Sequence, residues 1–252
     1  MSITQQDPAV QAETLMKTLG CPCTYLPPRR DEASITAAYH EAAERGRREG
    51  FTPLLLVLDQ WNNLGQTLDG LEEFRQEMAA APVEDGRALL HRRETEAREE
   101  WSEDMSSEEL EGYLSEVMDG DTSEGEAVTG FLSLKDYGGK QTQPILLAEI
   151  PVKNPWEIFA WLPFGGWNEC PAPEEQIAVA KYWFEQYGAV PAVMSMDILE
   201  YILPAPVPQA KAMEAALEQY FFCPDIVEQG VGTVGRLAGG LAQSTVWFFW
   251  WD

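Results

Sequence analysis

The spacing of hydrophobic and polar positions predicts helices separated by short buried strands. Two continuous apolar runs bounded by turn-forming residues, 54–58 and 144–151, are typical of strands buried on both faces of a sheet. The flanking segments have the mixed polarity of amphipathic helices. In this first part of the chain, helices are predicted over residues 8–19, 31–49, 67–80 and 84–101.

The C-terminal part continues the same alternation. A helix is expected to begin at Pro173, with acidic residues in its first turn, and to end at Gly188. Further helices are predicted over 208–222 and 233–242, and strands over 190–194, 198–203 and 245–251. Because strands alternate with helices, we expect an α/β fold: a mixed, partly parallel sheet flanked by helices. The aromatic ending Trp247–Trp251 is too apolar to stay in water, so its strand should close the core.

The N-terminal half carries an acidic helical insertion. Between Glu94 and Glu126 there are 14 acidic residues and a single basic one, Arg98. Apolar residues at helical spacing within this segment predict an exposed helix with one apolar stripe. The loop 119–125 lacks the ligand spacing of an EF-hand, and we interpret it as a solvated linker. We therefore divide the chain into a mostly helical acidic region, 1–140, with one buried strand (54–58), and an α/β domain, 141–252. Whether the two share one sheet stays open.

The net charge of the chain restricts the classes of molecule that it can bind. The net charge of −25, from 42 acidic and 17 basic residues, disfavours binding to nucleic acid because the surface repels phosphate. It is compatible with a basic protein partner, and equally with a role in solubility alone. No segment reaches the ~20 apolar residues of a membrane helix, so we expect no membrane association. The first residues show no secretory signal, so we expect a cytoplasmic location.

Cofactor and catalytic motifs are missing from the sequence. The four cysteines allow three disulfide pairings, but without a secretory signal we expect free thiols. Only Cys21 and Cys23 are close in sequence, so neither a metal site nor a cofactor is expected. There is no GxSxG, Walker or GxGxxG motif, and the only histidines are His40 and His91. These observations favour a protein that is not an enzyme.

Two Cys-Pro segments attract attention as candidate binding loops, Gly165-Gly166-Trp167-Asn168-Glu169-Cys170-Pro171 and Phe222-Cys223-Pro224-Asp225. The first is interpreted either as a ligand-binding loop or as a packed turn. In the second, Pro224 favours a helix start, which would place Cys223 where a helix dipole lowers the pKa of a thiol. A buried structural thiol is the alternative. Our candidate binding residues are Asp59, which follows a buried strand, and Trp167, Asn168, Cys170, Asp225 and Gln229.

These motifs, in this order, resemble a bacterial domain of unknown function, the family numbered 4253. The resemblance rests on the Gly165–Pro171 segment, Tyr187-Gly188-Ala189, the segment from Phe222 to Gly230 and the ending Trp247–Asp252. It spans about 145–252, and residues 54–59 are also similar to the upstream part of such proteins. It implies a bacterial cytosolic protein with a C-terminal α/β module. It carries over no catalytic residue.

Two functional hypotheses follow. The first is a non-catalytic acidic binding protein, immunity or antitoxin-like, that captures a basic protein partner. The second is a small-molecule enzyme with a carboxylate or cysteine site near the two Cys-Pro loops. In the second case Asn168, Cys170 or Asp225 should converge within hydrogen-bond reach in a concave site.

Overall fold

A six-stranded mixed sheet organises the protein. The computed structural model describes residues 7–58, 70–136 and 138–252. In spatial order the strands are β1, β3, β2, β4, β5 and β6. Only the β2–β4 pair is parallel among the described residues, and the other neighbours are antiparallel. The strand bounds are β1 Cys23–Leu26, β2 Thr52–Val57, β3 Ile145–Ile150, β4 Val190–Met194, β5 Ile198–Ile202 and β6 Val246–Trp250.

Helices cover both faces of this sheet. In the described ranges they are α1 Pro8–Leu19, α2 Ala33–Glu49, α3 Leu71–Ala80, α4 Gly86–Asp104, α5 Ser107–Val117, α6 Ile158–Trp161, α7 Pro173–Tyr187, α8 Ala212–Phe222 and α9 Val234–Leu241. A π-helix, Ile226–Val231, lies between the last two. None of the helices in these ranges has the length and hydropathy of a membrane-spanning segment.

The alternation of side chains along the strands divides the interior into two cores. The larger core lies on the face that packs against α1, α7, α8 and α9, and it holds Trp183 together with Trp247, Phe249 and Trp251 of the C-terminal segment. Trp183 stacks on Phe249 with ring centroids 5.4 Å apart. The smaller core lies under α2 on the other face. Trp247, Phe249 and Trp251 of the aromatic ending are thus interior, as its composition predicts, whereas Phe248 and Trp250 are half-buried.

Most predicted elements are confirmed. The α/β class and the mixed sheet are observed, and Gly20, Gly50 and Gly188 end their helices in the left-handed conformation. Strand β1 was not predicted, because its four residues carry no alternation distinct from the loops around them. Residues 67–69 of one predicted helix lie outside the described residues.

The acidic loop 119–126 is held against α9 by its backbone. The N–H of Gly235 donates to the carbonyl of Asp119 at 2.8 Å. A Cβ at Gly239 would lie 2.2 Å from the oxygen of Thr122, and one at Gly125 would lie equally close to the nitrogen of Gly240. The loop side chains are largely exposed, as expected of a linker, but the path of the loop is fixed. The glycines at these contacts permit the close approach of the two backbones.

Candidate functional site

The recognisable motifs meet at one end of the sheet. Because β5 is antiparallel to both β4 and β6, strand β6 runs in the same direction as β4 and β2, and the carboxyl ends of the three strands lie at the same edge. The N–H of Trp251 donates to the carbonyl of Asp197, in the turn after β4, at 3.1 Å. Ligands of open α/β sheets bind outside the carboxyl ends of the strands. This edge is therefore the natural place to look for a site.

Four polar residues from three separate segments form a chain of hydrogen bonds there, which we call the motif junction: Asn168, Asp225, Gln229 and Asp252. The amide of Asn168 donates to the main-chain oxygen of Asp252 at 2.7 Å. The N–H of Asp252 donates to Asp225 Oδ2 at 3.1 Å, and Gln229 Nε2 donates to Asp225 Oδ1 at 2.7 Å. All except the half-buried Asp225 are exposed, so the junction faces solvent.

The loop 165–171 is a packed turn that presents Asn168. Gly165 has φ 93° and lies so close to the next part of the loop that a Cβ would be 1.9 Å from the carbonyl of Pro171. Asn168 has φ 45°, the only positive φ of a non-glycine residue within the described ranges. Asparagine tolerates this conformation better than most residues. Trp167 is half-buried against the larger core. The structural interpretation of this loop accounts for its glycines, and the binding interpretation rests on Asn168 alone.

Neither cysteine of the two motifs is suited to nucleophilic chemistry. Cys223 is fully buried and its thiol donates to the carbonyl of Trp250 at 3.0 Å. Burial raises the pKa of Cys223 to about 12, because the loss of solvation outweighs the N–H groups of the helix start. The interpretation of Cys223 as a buried structural thiol is therefore confirmed. Burial also raises the pKa of Cys170, which contacts the buried amide of Gln176 at 3.7 Å. Both thiols belong to the core.

The acidic helices are fixed to the C-terminal domain beside the junction. The ring of Trp101 on α4 meets the ring of Tyr113 on α5 edge-on, with centroids 5.2 Å apart, and also contacts Phe221 of α8. The hydroxyls of Tyr113 and Tyr220 donate to Glu228 Oε1 at 2.6 and 2.8 Å. Burial and the Glu228 carboxylate raise the pKa of Tyr113 to about 12. The acidic surface therefore has a defined position relative to the π-helix that carries Gln229.

This surface, the acidic arm (residues 94–126), is rich in carboxylates without a cationic partner. Arg98 pairs with Glu94, and Arg236 pairs with Glu124. Within the part of the chain that the structure describes, no ion pair is formed by a further set of exposed acidic residues: Glu99, Glu100, Glu103, Asp104, Glu108, Glu111, Glu116 and Glu126. Their mutual repulsion is relieved when a cation approaches.

A groove of about 740 Å³ connects the arm to the junction. Glu126 lies in its wall from the arm and Asp225 from the junction, and the half-buried rings of Phe248 and Trp250 contribute apolar surface. Gln219 and Trp247 also line it. Gln219 Nε2 and Trp247 Nε1 are buried and have no hydrogen-bond partner among the described residues. The groove thus combines carboxylates with aromatic surface.

The structure brings together most of the predicted site residues. Asn168, Asp225 and Gln229 meet at the junction, Trp167 and Cys170 lie in the loop behind it, and Asp59 lies outside the described residues. Sequence reasoning missed Glu228 as a site residue. It lies one residue from Gln229 and accepts hydrogen bonds from Tyr220, eight residues earlier, and from Tyr113, which is distant in sequence. No group of three or more His, Cys, Asp or Glu side chains in the described ranges could hold a metal ion.

The C-terminal region of the chain is similar to a known family. Residues 146–252 match the model of a domain of unknown function (DUF4253), which confirms the resemblance to this family over that region. The match covers less than half of the chain. No curated protein and no solved structure shows significant similarity to the chain.

Proposed function

We propose that this chain, whose C-terminal region is a DUF4253 domain, is a non-catalytic binding protein that captures a basic protein partner on its acidic arm. The proposal is of an immunity or antitoxin-like role in the bacterial cytoplasm. The four cysteines are all free thiols, which fits a reducing compartment. The observation that carries the proposal is the set of exposed arm carboxylates without cationic partners.

The arm is also preorganised. Because Trp101 and Tyr113 pack against α8, a partner need not order these helices when it binds, which lowers the entropic cost of association. A surface of one charge sign also accelerates encounter with an oppositely charged protein. The adjoining groove supplies contacts that charge alone lacks, because the half-buried rings of Phe248 and Trp250 offer apolar surface to a side chain of the partner.

The test compares two variants with the same change in net charge. In the arm variant Glu99, Glu100 and Glu103 become Gln and Asp104 becomes Asn. In the control variant the same number of exposed glutamates elsewhere become Gln: Glu13, Glu41, Glu44 and Glu185. Neutralising acids near the C-terminus of α4 should not destabilise that helix, because the helix dipole disfavours negative charge there.

Each protein is immobilised and exposed to lysate of the source organism at low and high salt, and the affinity of any retained basic protein is then measured with purified components. We expect the wild type and the control variant to bind a basic protein, and the arm variant to bind it at least about tenfold more weakly. Binding of the wild type should weaken as salt rises. Equal affinity of the arm and control variants, or a partner that is not basic, contradicts the proposal.

A second candidate function is small-molecule chemistry by carboxylates at the motif junction. It is supported by the position of Asp225 at the carboxyl ends of β2, β4 and β6, where α/β sheets bind ligands. The cysteine version of this hypothesis is disfavoured by the burial of Cys170 and Cys223. A thermal-shift screen of metabolites against the wild type and Asp225→Asn tests it. A compound that stabilises only the wild type supports it, and the absence of any such compound counts against it.

A further inference from the structure

Two thiols lie in contact at the edge of the sheet, far from the arm in sequence. Cys21 and Cys23 flank Pro22 between α1 and β1, and their Sγ atoms are 3.9 Å apart. Side chains two residues apart in an extended chain point to the same side, which explains the contact. The carbonyl of Pro22 accepts a hydrogen bond from the N–H of Glu149 at 2.9 Å, and the proline ring fixes its own φ. The backbone therefore holds the two thiols together.

The two sulfurs differ in their surroundings. Cys23 Sγ donates to the carbonyl of Cys21 at 3.3 Å and also contacts Cys21 Sγ. This contact, together with Arg75, lowers the pKa of Cys21, while the same contact and burial raise the pKa of Cys23. Glu149 opposes ionisation of both thiols, but it forms an ion pair with Arg45. Cys21 is thus the thiol that ionises and Cys23 the one that keeps its proton.

Arg75 supplies a nearly buried positive charge beside this pair. Its side chain is 14% exposed, and it donates to the carbonyls of Leu19 and Trp161, each at 3.0 Å. The guanidinium lies 3.6 Å from the ring centroid of Trp161. The only carboxylate that pairs with it among the described residues is that of Glu72, 4.0 Å away and 80% exposed, so the charge is weakly neutralised. The positive charge of Arg75 is therefore free to stabilise a thiolate at Cys21.

Both thiols are half-buried, so a small molecule has access to them. By contrast, Cys170 and Cys223 are enclosed in the core. We propose that Cys21 and Cys23 form a redox-active dithiol that reacts with low-molecular-weight disulfides, with Cys21 as the attacking sulfur and Cys23 as the resolving one. This site is separate from the proposed partner surface.

The reaction balances as a thiol–disulfide exchange. The Cys21 thiolate attacks one sulfur of the external disulfide, the external S–S bond breaks, and the departing thiolate takes a proton from water. Cys23 then loses its proton to solvent and attacks the Cys21 sulfur, which expels the second small thiolate. Two protein thiols are oxidised to one disulfide, and one external disulfide is reduced to two thiols. The two sulfurs have only to approach from 3.9 Å to about 2.05 Å.

The test uses the full-length reduced chain and oxidised glutathione as the probe. After acid quenching, free thiols are alkylated and the peptides are analysed by mass spectrometry. In the wild type we expect the peptide containing Cys21 and Cys23 to lose both alkylation sites and retain no glutathione. The variant Cys23→Ser should retain one glutathione on Cys21. Alkylation of Cys170 and Cys223 only after unfolding is the internal control for the folded state.

The role of Arg75 is tested by measuring the rate at which Cys21 reacts with oxidised glutathione in the first step. The variant Arg75→Met should slow the first step by about tenfold at neutral pH, the effect of raising a thiol pKa by about one unit, whereas Arg75→Lys should retain most of the rate. Circular dichroism checks that each variant is folded. Stable glutathione on wild-type Cys21, disulfide-linked dimers, or equal rates for Cys21→Ser and Cys23→Ser would each overturn the proposal.

Discussion

The side-chain amide of Asn168 donates a 2.7 Å hydrogen bond to the main-chain oxygen of Asp252, 84 positions away in sequence. Through the N–H of Asp252 this contact continues to Asp225, so the loop before α7, the start of the π-helix and the segment after β6 are joined. Segments that resemble one family thus contact one another in space.

Substitutions at Asn168 should separate the contribution of its hydrogen bond to Asp252 from the contribution of its left-handed backbone conformation. Asn168→Gly keeps the positive φ and loses only the hydrogen bond, so we expect a loss of about 0.5–1 kcal/mol in the free energy of unfolding. Asn168→Ala also loses the hydrogen bond, and alanine keeps a Cβ in the left-handed conformation without the local polar contacts of asparagine, so it should cost about 1 kcal/mol more than Asn168→Gly. Urea denaturation measures both variants. Equal stability of the two would show that the loop relaxes its backbone.

A methyl group at Gly239 should displace the loop 119–126 from α9. The added Cβ would lie 2.2 Å from the oxygen of Thr122, so Gly239→Ala is expected to lower stability by about 1–3 kcal/mol and to expose the loop to proteases. Gly112→Ala is the matched control, since nothing lies within 4 Å of a Cβ there. It should stabilise α5 by about 0.5–1 kcal/mol. Thermal unfolding and limited proteolysis distinguish these outcomes, and a loop that stays protected in Gly239→Ala contradicts the packing described.

The buried carboxyl of Glu200 should make stability depend on pH. It accepts hydrogen bonds from the N–H groups of Leu132 and Ser133, each at 2.9 Å, but burial still raises its pKa. Because the folded state binds this proton more tightly, the contribution of Glu200 is greatest below its unfolded pKa and is lost as the pH rises through the folded pKa. The stability difference between wild type and Glu200→Gln should therefore shrink as the pH rises from about 5.

Urea denaturation at a series of pH values measures this difference, with Glu185→Gln, at an exposed position on α7, as the control for removing one charge. Glu200→Gln should be less stable than the wild type at the lowest pH, since its amide N–H₂ replaces one acceptor oxygen and leaves one of the two backbone N–H donors without a partner. A cost of about 1–3 kcal/mol is typical of such an unsatisfied site. A difference that grows with pH would show that the hydrogen bonds outweigh desolvation.

Tyr113 and Glu228 should be energetically linked. A double-mutant cycle with Tyr113→Phe and Glu228→Gln is expected to give an interaction energy of about 0.5–1 kcal/mol, modest because Glu228 is exposed. The cycle is measured by urea denaturation. The pair Tyr182 and Glu218, whose hydroxyl–carboxylate contact is 2.7 Å, provides a comparison between two other helices, α7 and α8. Additive effects of Tyr113→Phe and Glu228→Gln would mean that this hydrogen bond contributes nothing to holding the arm in place.

Local patterns predict the elements of this fold well, because their signals are local. Thr233 is an N-cap, and its side chain accepts a bond from the N–H of Arg236. Gly188 ends its helix with φ 69°. In both cases the chemistry that sets the boundary lies within a few residues of it.

The order of the strands and the surroundings of the cysteines depend on distant contacts, which no local pattern encodes. Proline after Cys223 favours a helix start and hence a low thiol pKa, but the carbonyl of Trp250 and the surrounding core reverse the effect. Glu149 interrupts an apolar run, and only the structure shows Arg45 beside it. The candidate residues of the junction were identifiable from their motifs, whereas their contacts with Asp252 and the contact of Tyr113 with Glu228 were not.

The pairing of β3 has a consequence for any attempt to isolate the DUF4253 region. The match begins at Leu146, inside β3, yet both neighbours of that strand, β1 and β2, precede it in the chain. A fragment restricted to 146–252 would leave β3 with bare main-chain groups on either side and would remove the strand that links it to β4. The boundary of the sequence match is therefore not a boundary of autonomous folding, and such a fragment should self-associate through its unsatisfied edges.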